Sequence, residues 1–454
     1  DLSSDPDPEA ALAAALPTAL KPFAIHGGPL MRATLFRIAP RRHVLLLTAH
    51  HAVTDGWSMA IIARDFANAY GAGAKAGPLC GLAPLDRGYV DYAAAIAAAR
   101  EERDATPLKA FWRARLADLP ELIELPTDRP RSDTPDGRGR VLRFALSESQ
   151  TSRLHAVARG LGVTPFAVLF SAYGLLLARL SGQGAFAIGT VTAGRSLPGA
   201  EEIVGFFADT LALRFDVSKS ADFGALCRRS GEELIEAVAH SALPFEAIVE
   251  DIVTDRSAAY SPIFQTMFVW QNTPAPISEA DGLIIRSERL DKGATQFDLV
   301  LDMTETPSGI EAMLEYRTEL FEPETAARIA DGFRKLLGEA FADPQAPLAA
   351  IGAASDAAHL PMDRIPEIAD RRVDAVLDDW VKARPDGIAV RSLCPSFIDT
   401  PLLDKNPNAG SNQDIRQRVT DAGLEITPVE DVAEAAVIGV PHEKWGETIK
   451  ALVV

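Results

Sequence analysis

The chain is predicted to fold as a two-lobed α/β protein, and three observations predict it. Strand-like and helix-like segments alternate in two blocks, the pattern of layered α/β domains. A stretch rich in Pro, Asp and Arg at 118–140 lies between the blocks. The segment His43-Val44-Leu45-Leu46-Leu47-Thr48-Ala49 is almost continuously apolar, as a strand covered on both faces would be. A length of 454 residues leaves room for two or three domains' worth of core.

In the first block, residues 30–39 read as a strand and 43–49 as a second. From Trp57 to Tyr70 the period turns helical: Ile62, Phe66 and Tyr70 fall at i, i+4 and i+8, while Arg64, Asp65 and Asn68 face elsewhere. Residues 118–140, with Leu125-Pro126-Thr127-Asp128-Arg129-Pro130-Arg131 at their centre, read as a linker. In the second block a helix takes Thr164 as N-cap, Pro165 as its first residue and Gly182 at its C-terminal end. Residues 186–191 read as a strand leading into a loop at Ala193-Gly194-Arg195. Further strands are predicted at 263–270 and 297–303, and helices at 220–239 and 323–342. Periodicity fades over the Ala- and Pro-rich residues 343–372, so the second lobe is placed at 121–352 and a linker at 353–372. There is no internal sequence repeat.

Composition narrows the function classes. Apolar residues make up 47% and charged residues 24% of the chain, which is ordinary for a globular protein. A net charge of −18 argues against a nucleic-acid or anionic-membrane partner. Cys80, Cys227 and Cys394 lie far apart, too few for a disulfide scaffold and without zinc spacing, which points to a reducing, cytoplasmic setting. The acidic start, Asp1 to Asp7, lacks the basic opening of a signal peptide. The longest apolar helix candidate, 166–178, is too short to span a bilayer and contains Ser171 and Tyr173.

Chemistry concentrates at His50-His51-Ala52-Val53-Thr54-Asp55-Gly56-Trp57-Ser58. Two adjacent histidines, an aspartate and a glycine form a compact set of proton-handling groups at a strand-to-helix junction, where loops carry function on a rigid frame. Asp55 is placed to N-cap the following helix. Gly56 fits a position needing positive φ or close backbone approach to a substrate. Trp57 reads as core. His26, His43, His155, His359 and His442 stand alone, so neither a metal site nor a bound cofactor is assigned.

The nine-residue stretch fits the pattern HHxxxDG, and other motifs follow it in order. Tyr89-Val90-Asp91-Tyr92 is similar to YxDYA, Leu125 to Pro130 to a characteristic linker, and Ile188 to Arg195 to IGTPxAxR. Val204 to Leu211 is similar to GFFxNTL with Asp209 in place of Asn, and His240 to Glu246 to HQxxPFE with Ser241 in place of Gln. Ser261 to Gln265 and Phe297-Asp298-Leu299 complete the set. Over roughly residues 28–350 the chain thus resembles the condensation domains of nonribosomal peptide synthetases, of the type joining L-configured units.

The resemblance implies a chloramphenicol-acetyltransferase-like fold: two αβα lobes in a V, with a tunnel between them and the histidine motif at its middle. It implies amide formation between a donor acyl thioester and an acceptor aminoacyl thioester. Both ride on the phosphopantetheine arms of upstream and downstream peptidyl carrier proteins, beside an adjacent adenylation domain. An α-amine has an ordinary pKa of about 7.7–8, so part of the acceptor is already neutral, and the thioester is already activated. What remains is orientation and removal of a proton. His51 is expected to do this as a base or by hydrogen-bonding and steering the amine, for roughly 10²–10⁴-fold. His50 and His240 read as structural. The family's ion pair falls here on Asp55 and Arg195, and the Gly56 amide is a candidate donor to the developing oxyanion.

Two regions depart from the family pattern. An N-terminal helix and an RHExLRTxF-like element are not found before the histidines. The first lobe, 1–120, is therefore expected to be incomplete, with apolar surface of the 43–49 strand left uncovered. Residues 373–454 form a composite tail. Val373 to Val390 resembles the opening of an adenylation domain, Leu393 to Pro401 a late segment of short-chain dehydrogenases, and Ala436 to Glu447 the C-terminal subdomain of adenylating enzymes. These pieces assemble neither active site, so neither adenylation nor hydride transfer is expected. Two alternatives stand beside condensation: an acyltransferase with a soluble acceptor, and an inactive remnant or carrier-protein docking module.

Overall fold

The computed structural model describes residues 1–72, 82, 84–254, 257–271, 279–280, 283–352 and 448–453. The chain divides into two compact units, one of residues 1–20, 31–363 and 443–454, the other of 21–30 and 364–442. Within the second unit the described residues, 21–30, are irregular with a turn at 25–27. The linker 353–372 and the tail motifs between 373 and 447 lie outside the described residues.

The first unit opens with helix α1 (Pro8–Ala19), capped by Asp7 through Ala10 N–H. Strands β1 (Met31–Ala39) and β2 (Arg42–Ala49) follow, then a 3-10 turn at His51–Val53 and helix α2 (Gly56–Ala72). Helices α3 (Tyr89–Glu101) and α4 (Thr106–Leu116) lead to β3 (Gly139–Ser147), α5 (Glu148–Leu161), α6 (Pro165–Ser181), β4 (Ala185–Thr192) and β5 (Asp209–Asp216). Next come α7 (Phe223–Ala239), α8 (Phe245–Ile252), β6 (Thr266–Gln271) and a ribbon of β7 (Glu279–Ala280) and β8 (Leu283–Ile284). The remaining elements are β9 (Arg286–Arg289), β10 (Leu299–Thr306), β11 (Gly309–Arg317), α9 (Pro323–Ala342) and β12 (Thr448–Val453).

Two larger sheets result. The first runs β1-β2-β12-β9 and is antiparallel throughout; the second runs β3-β11-β10-β6-β4-β5, with β6 parallel to both its neighbours. The main core lies at the second sheet, where α6 is buried nearly all round among Trp112, Phe215, Phe268 and Phe333. That burial explains the apolar run at 166–178: no single helix among the described residues is long and apolar enough to cross a membrane. The predicted caps of α6 are in place, since Thr164 accepts from Ala167 N–H and Gly182 closes the helix in the left-handed region at φ 70°.

Several expectations need correction. Strand β2 is not left uncovered: β1 borders it on one side and β12 on the other, and residues 44–49 are buried. Of the large apolar side chains of β1 and β2, the exposed ones are Met31 and Leu35 of β1. The lobes do not divide cleanly at 120, because β9, from within 121–352, joins the first sheet. The 118–140 linker is tied down along its length. Ile123 and Leu125 are buried, and Asp128 accepts from Glu322 N–H and the Thr325 hydroxyl at the start of α9. Arg131 pairs with buried Asp298. The strand predicted from 263 starts only at Thr266, since Ile263 takes φ 69° and Phe264 N–H turns back to Pro262 O, a conformation no strand tolerates.

Candidate active site

Strand β2 delivers His50 and His51 at its end. His50 is extended and caps the 3-10 turn, its Nδ1 accepting from Ala52 N–H at 3.1 Å. That contact requires a lone pair on Nδ1 and places the neutral ring's proton on Nε2. Burial, together with the neighbouring His51 imidazole, lowers the pKa of His50 below its ordinary 6.5. His51 begins the turn; its Nδ1 is buried and has no hydrogen-bond partner among the described residues. This leaves Nε2 as the ring nitrogen available to a substrate.

Asp55 is buried and its carboxylate is fully used. Oδ1 accepts from Ser58 N–H at 2.7 Å and from Arg195 Nη2 at 2.9 Å; Oδ2 accepts from Phe207 N–H at 3.0 Å and Arg195 Nη2 at 3.1 Å. Capping and ion pairing, read from sequence as separate roles, are thus held by one side chain. Arg195 is clamped in turn. Its Nη1 donates to Ala200 O and Ile203 O, and its guanidinium lies 4.3 Å from the Phe207 ring centroid. The turn that aims Arg195 needs Gly194, whose φ is 60° and where a Cβ would meet Phe207 O at 1.7 Å.

Around this pair, α2 and α3 grip the loop from 197 to 207. Trp57, read from sequence as core, is only half-buried: its Nε1 donates to Glu201 O at 3.0 Å and its ring centroid lies 5.8 Å from the Arg195 guanidinium, so it ties this loop instead. Ser58 Oγ donates to Gly205 O and accepts from Gly205 N–H and Arg195 Nη2. Tyr92 OH donates to Pro198 O, and Arg64 pairs with Glu202. Sequence reasoning quoted Ser58 and Tyr92 within motifs but gave them no role. Both donate to backbone carbonyls, which carry no residue signature.

Gly56 is the first residue of α2, a position whose amide has no partner inside the helix. Asp209, the departure from the family's Asn, lies 3.6 Å from Arg100, and burial raises its pKa against that cation. His240 stacks on Phe111 at 3.6 Å and its Nδ1 bonds Glu236 O. His155 pairs with Glu305, while His359 and His442 lie outside the described residues. Among the described residues no group of three or more His, Cys, Asp or Glu could hold a metal ion.

The condensation-domain family profile matches residues 1–360, and that of the C-terminal domain of AMP-binding enzymes matches 425–454. The phosphinothricin tripeptide synthetase PhsC of Streptomyces viridochromogenes is 34% identical over 380 residues, covering 82% of this chain and 35% of that protein. The chain therefore spans about a third of that relative's length. Among solved structures, the X-domain from teicoplanin biosynthesis superposes with a TM-score of 0.66 at 28% identity, covering 74% of this chain and 79% of that one. The first condensation domain of the calcium-dependent antibiotic synthetase gives a TM-score of 0.64 at 23% identity, covering 77% and 76%. With the ordered motifs and the Asp55–Arg195 pair in place, the chain belongs to the condensation-domain family of nonribosomal peptide synthetases and has its chloramphenicol-acetyltransferase-like α/β fold.

Proposed function

We propose that this chain forms an amide bond between a donor acyl thioester and an acceptor aminoacyl thioester, each presented by a peptidyl carrier protein. The observation that carries the reading is His51, held at the end of β2 beside a locked Asp55–Arg195 pair, with Nδ1 buried and Nε2 left for the substrate. The acceptor nitrogen attacks the thioester carbon, the C–S bond breaks, and the proton lost by the amine balances the departing thiolate. His51 Nε2 takes or steers that amine proton. Gly56 N–H is the proposed donor to the oxyanion, and Asp55 acts by holding the loop. The match of 425–454 to an AMP-binding C-terminal domain supports an adenylation domain as neighbour. A buried free thiol at Cys227 is in keeping with a cytoplasmic setting.

The test mixes the full chain with phosphopantetheine-loaded donor and acceptor carriers and follows the amide product by mass spectrometry. His51→Ala is expected to slow a single turnover by roughly 10²–10⁴-fold. An unchanged rate in His51→Ala refutes the role. Equal turnover with a free amine in place of the acceptor carrier would favour the soluble-acceptor reading.

A further inference from the structure

Residues 203–207 pass the histidine loop with alternating burial: Ile203, Gly205 and Phe207 are buried, whereas Val204 and Phe206 are exposed. A segment with one buried face ordinarily turns polar side chains outward on the other. Here both outward residues are large and apolar, 36% and 42% exposed. The inner face is explained by packing. Phe207 clusters with Tyr92, Ala200 and Ile203 and lies against the Arg195 guanidinium, and a Cβ at residue 205 would stand 2.1 Å from Tyr89 Cδ2. On the outer face the Phe206 ring meets the His51 imidazole edge-to-face, at 5.0 Å between centroids and an interplanar angle of 77°.

The backbone carrying Phe206 is pinned from three sides. Tyr89 OH donates to Phe206 O at 2.8 Å, Ser58 Oγ bonds both backbone groups of Gly205, and Phe207 N–H donates to Asp55. A ring on such a backbone keeps its place without being buried, as a wall for a substrate must. His51 is itself only half-buried. An amine hydrogen-bonded to its imidazole stands about 3 Å from the ring nitrogen. The acceptor's side chain branches from the carbon bonded to that amine. The donor's side chain lies one bond further away, across the bond being formed. The acceptor's side chain is therefore the variable group brought nearest to Phe206.

We propose that Phe206, with Val204 on the same face, is the apolar wall on which the acceptor's side chain rests, so that the chain selects acceptors with an apolar side chain over glycine and over acidic residues. The inference rests on the reading of His51 as the group that meets the acceptor amine. Ring and aliphatic side chain each remove apolar surface of the other from water, with a gain proportional to the area covered. A carboxylate in the same place would shed water against a ring that offers it no hydrogen bond, which disfavours it.

The experiment titrates the full chain with aminoacyl-pantetheine analogues in which an amide replaces the thioester, carrying leucine, glycine or aspartate with a free α-amine, and reads Kd by calorimetry. The wild type should bind the leucyl analogue about fivefold more tightly than the glycyl one, the share of a leucine burial that one wall supplies. The aspartyl analogue should bind more weakly than the glycyl one. In Phe206→Ala the leucyl preference should fall to within about twofold of unity, and Val204→Ser should lower it part of the way. An N-acetylleucyl analogue has no amine and stands in for a donor; Phe206→Ala should weaken it less than the leucyl one. A leucyl preference that is absent in the wild type or survives Phe206→Ala overturns the proposal. So does equal weakening of the leucyl and glycyl analogues, or a loss as large for N-acetylleucyl, which would put the ring on the donor side. Should Phe206→Ala fail to fold, Val204→Ser decides alone, and an unchanged preference there overturns the proposal. If the wild type binds the leucyl analogue through Phe206 yet forms no amide between loaded carriers, the wall stands and only the proposed function fails.

Discussion

Removing the Asp55 carboxylate should cost stability before it costs chemistry. The side chains of Asp55 and Arg195 are 2% and 4% exposed, and deleting one partner of a buried pair costs about 3–5 kcal/mol. Asp55→Ala also strips Ser58 N–H of its cap, a loss of about 0.5–2 kcal/mol elsewhere, and leaves Phe207 N–H unpaired. These losses share one carboxylate and do not simply add, which places the total near the upper end, about 5 kcal/mol. Asp55→Asn should recover only part of it. Each carboxylate oxygen receives two donors, so an amide NH₂ at either position faces N–H groups it cannot accept from. The double variant Asp55→Ala/Arg195→Met should be more stable than Asp55→Ala, because no uncompensated guanidinium remains. Urea denaturation followed by tryptophan fluorescence reads all three. An Asp55→Ala protein that unfolds like the wild type yet forms no amide would refute the argument and assign Asp55 a direct part in the reaction.

Other outcomes follow from the same geometry. The lowered pKa of His50 means that the unfolded chain binds its proton first. Its contribution is therefore fully present above pH 6.5 and is lost as pH falls through the folded value; His50→Asn, which keeps an acceptor for Ala52 N–H, should remove that part of the acid dependence of the urea midpoint. Burial pushes the Cys227 thiol up to about 12, so alkylation mapped by mass spectrometry should spare Cys227 in the native protein and reach it in urea; rapid native labelling would contradict its burial. Gly194→Ala, combining positive φ with a Cβ on Phe207 O, should cost at least about 1–3 kcal/mol, and a wild-type urea midpoint would show that the Arg195 turn is not held as described.

Where local chemistry marks an element, the sequence reveals it. The Thr164–Pro165 start and Gly182 end bound α6, and a Pro at 323 opens α9 where periodicity places it. Helix α3 escapes because alanine fills most of its positions between Tyr92 and Arg100, and alanine favours helix without declaring a buried face. Strands β3 and β11 pair along their whole length; turn residues lead into each, Pro135-Asp136-Gly137 and Pro307-Ser308-Gly309, but neither strand has an unbroken apolar run to set it apart. The first sheet is harder still. Its members come from residues 31–49, 286–289 and 448–453, and no local pattern predicts pairing across such separations.

At the site, His51, Asp55 and Arg195 are legible because each is a chemically distinctive side chain in a spaced motif. Trp57, Ser58, Tyr89 and Tyr92 carry as much of the geometry, yet all four donate to backbone carbonyls between 198 and 206. This division has a consequence for the motif itself. Two donors reach each Asp55 oxygen from within the protein, which leaves that carboxylate little capacity to orient an incoming amine or to hold its proton. His51 has the opposite condition, one nitrogen shut away and the other uncommitted. A residue whose bonding capacity is spent on its own fold should reveal itself in unfolding measurements, and one with capacity in reserve in turnover. The Asp55 and His51 variants should therefore separate along those two axes, although the residues stand only four positions apart.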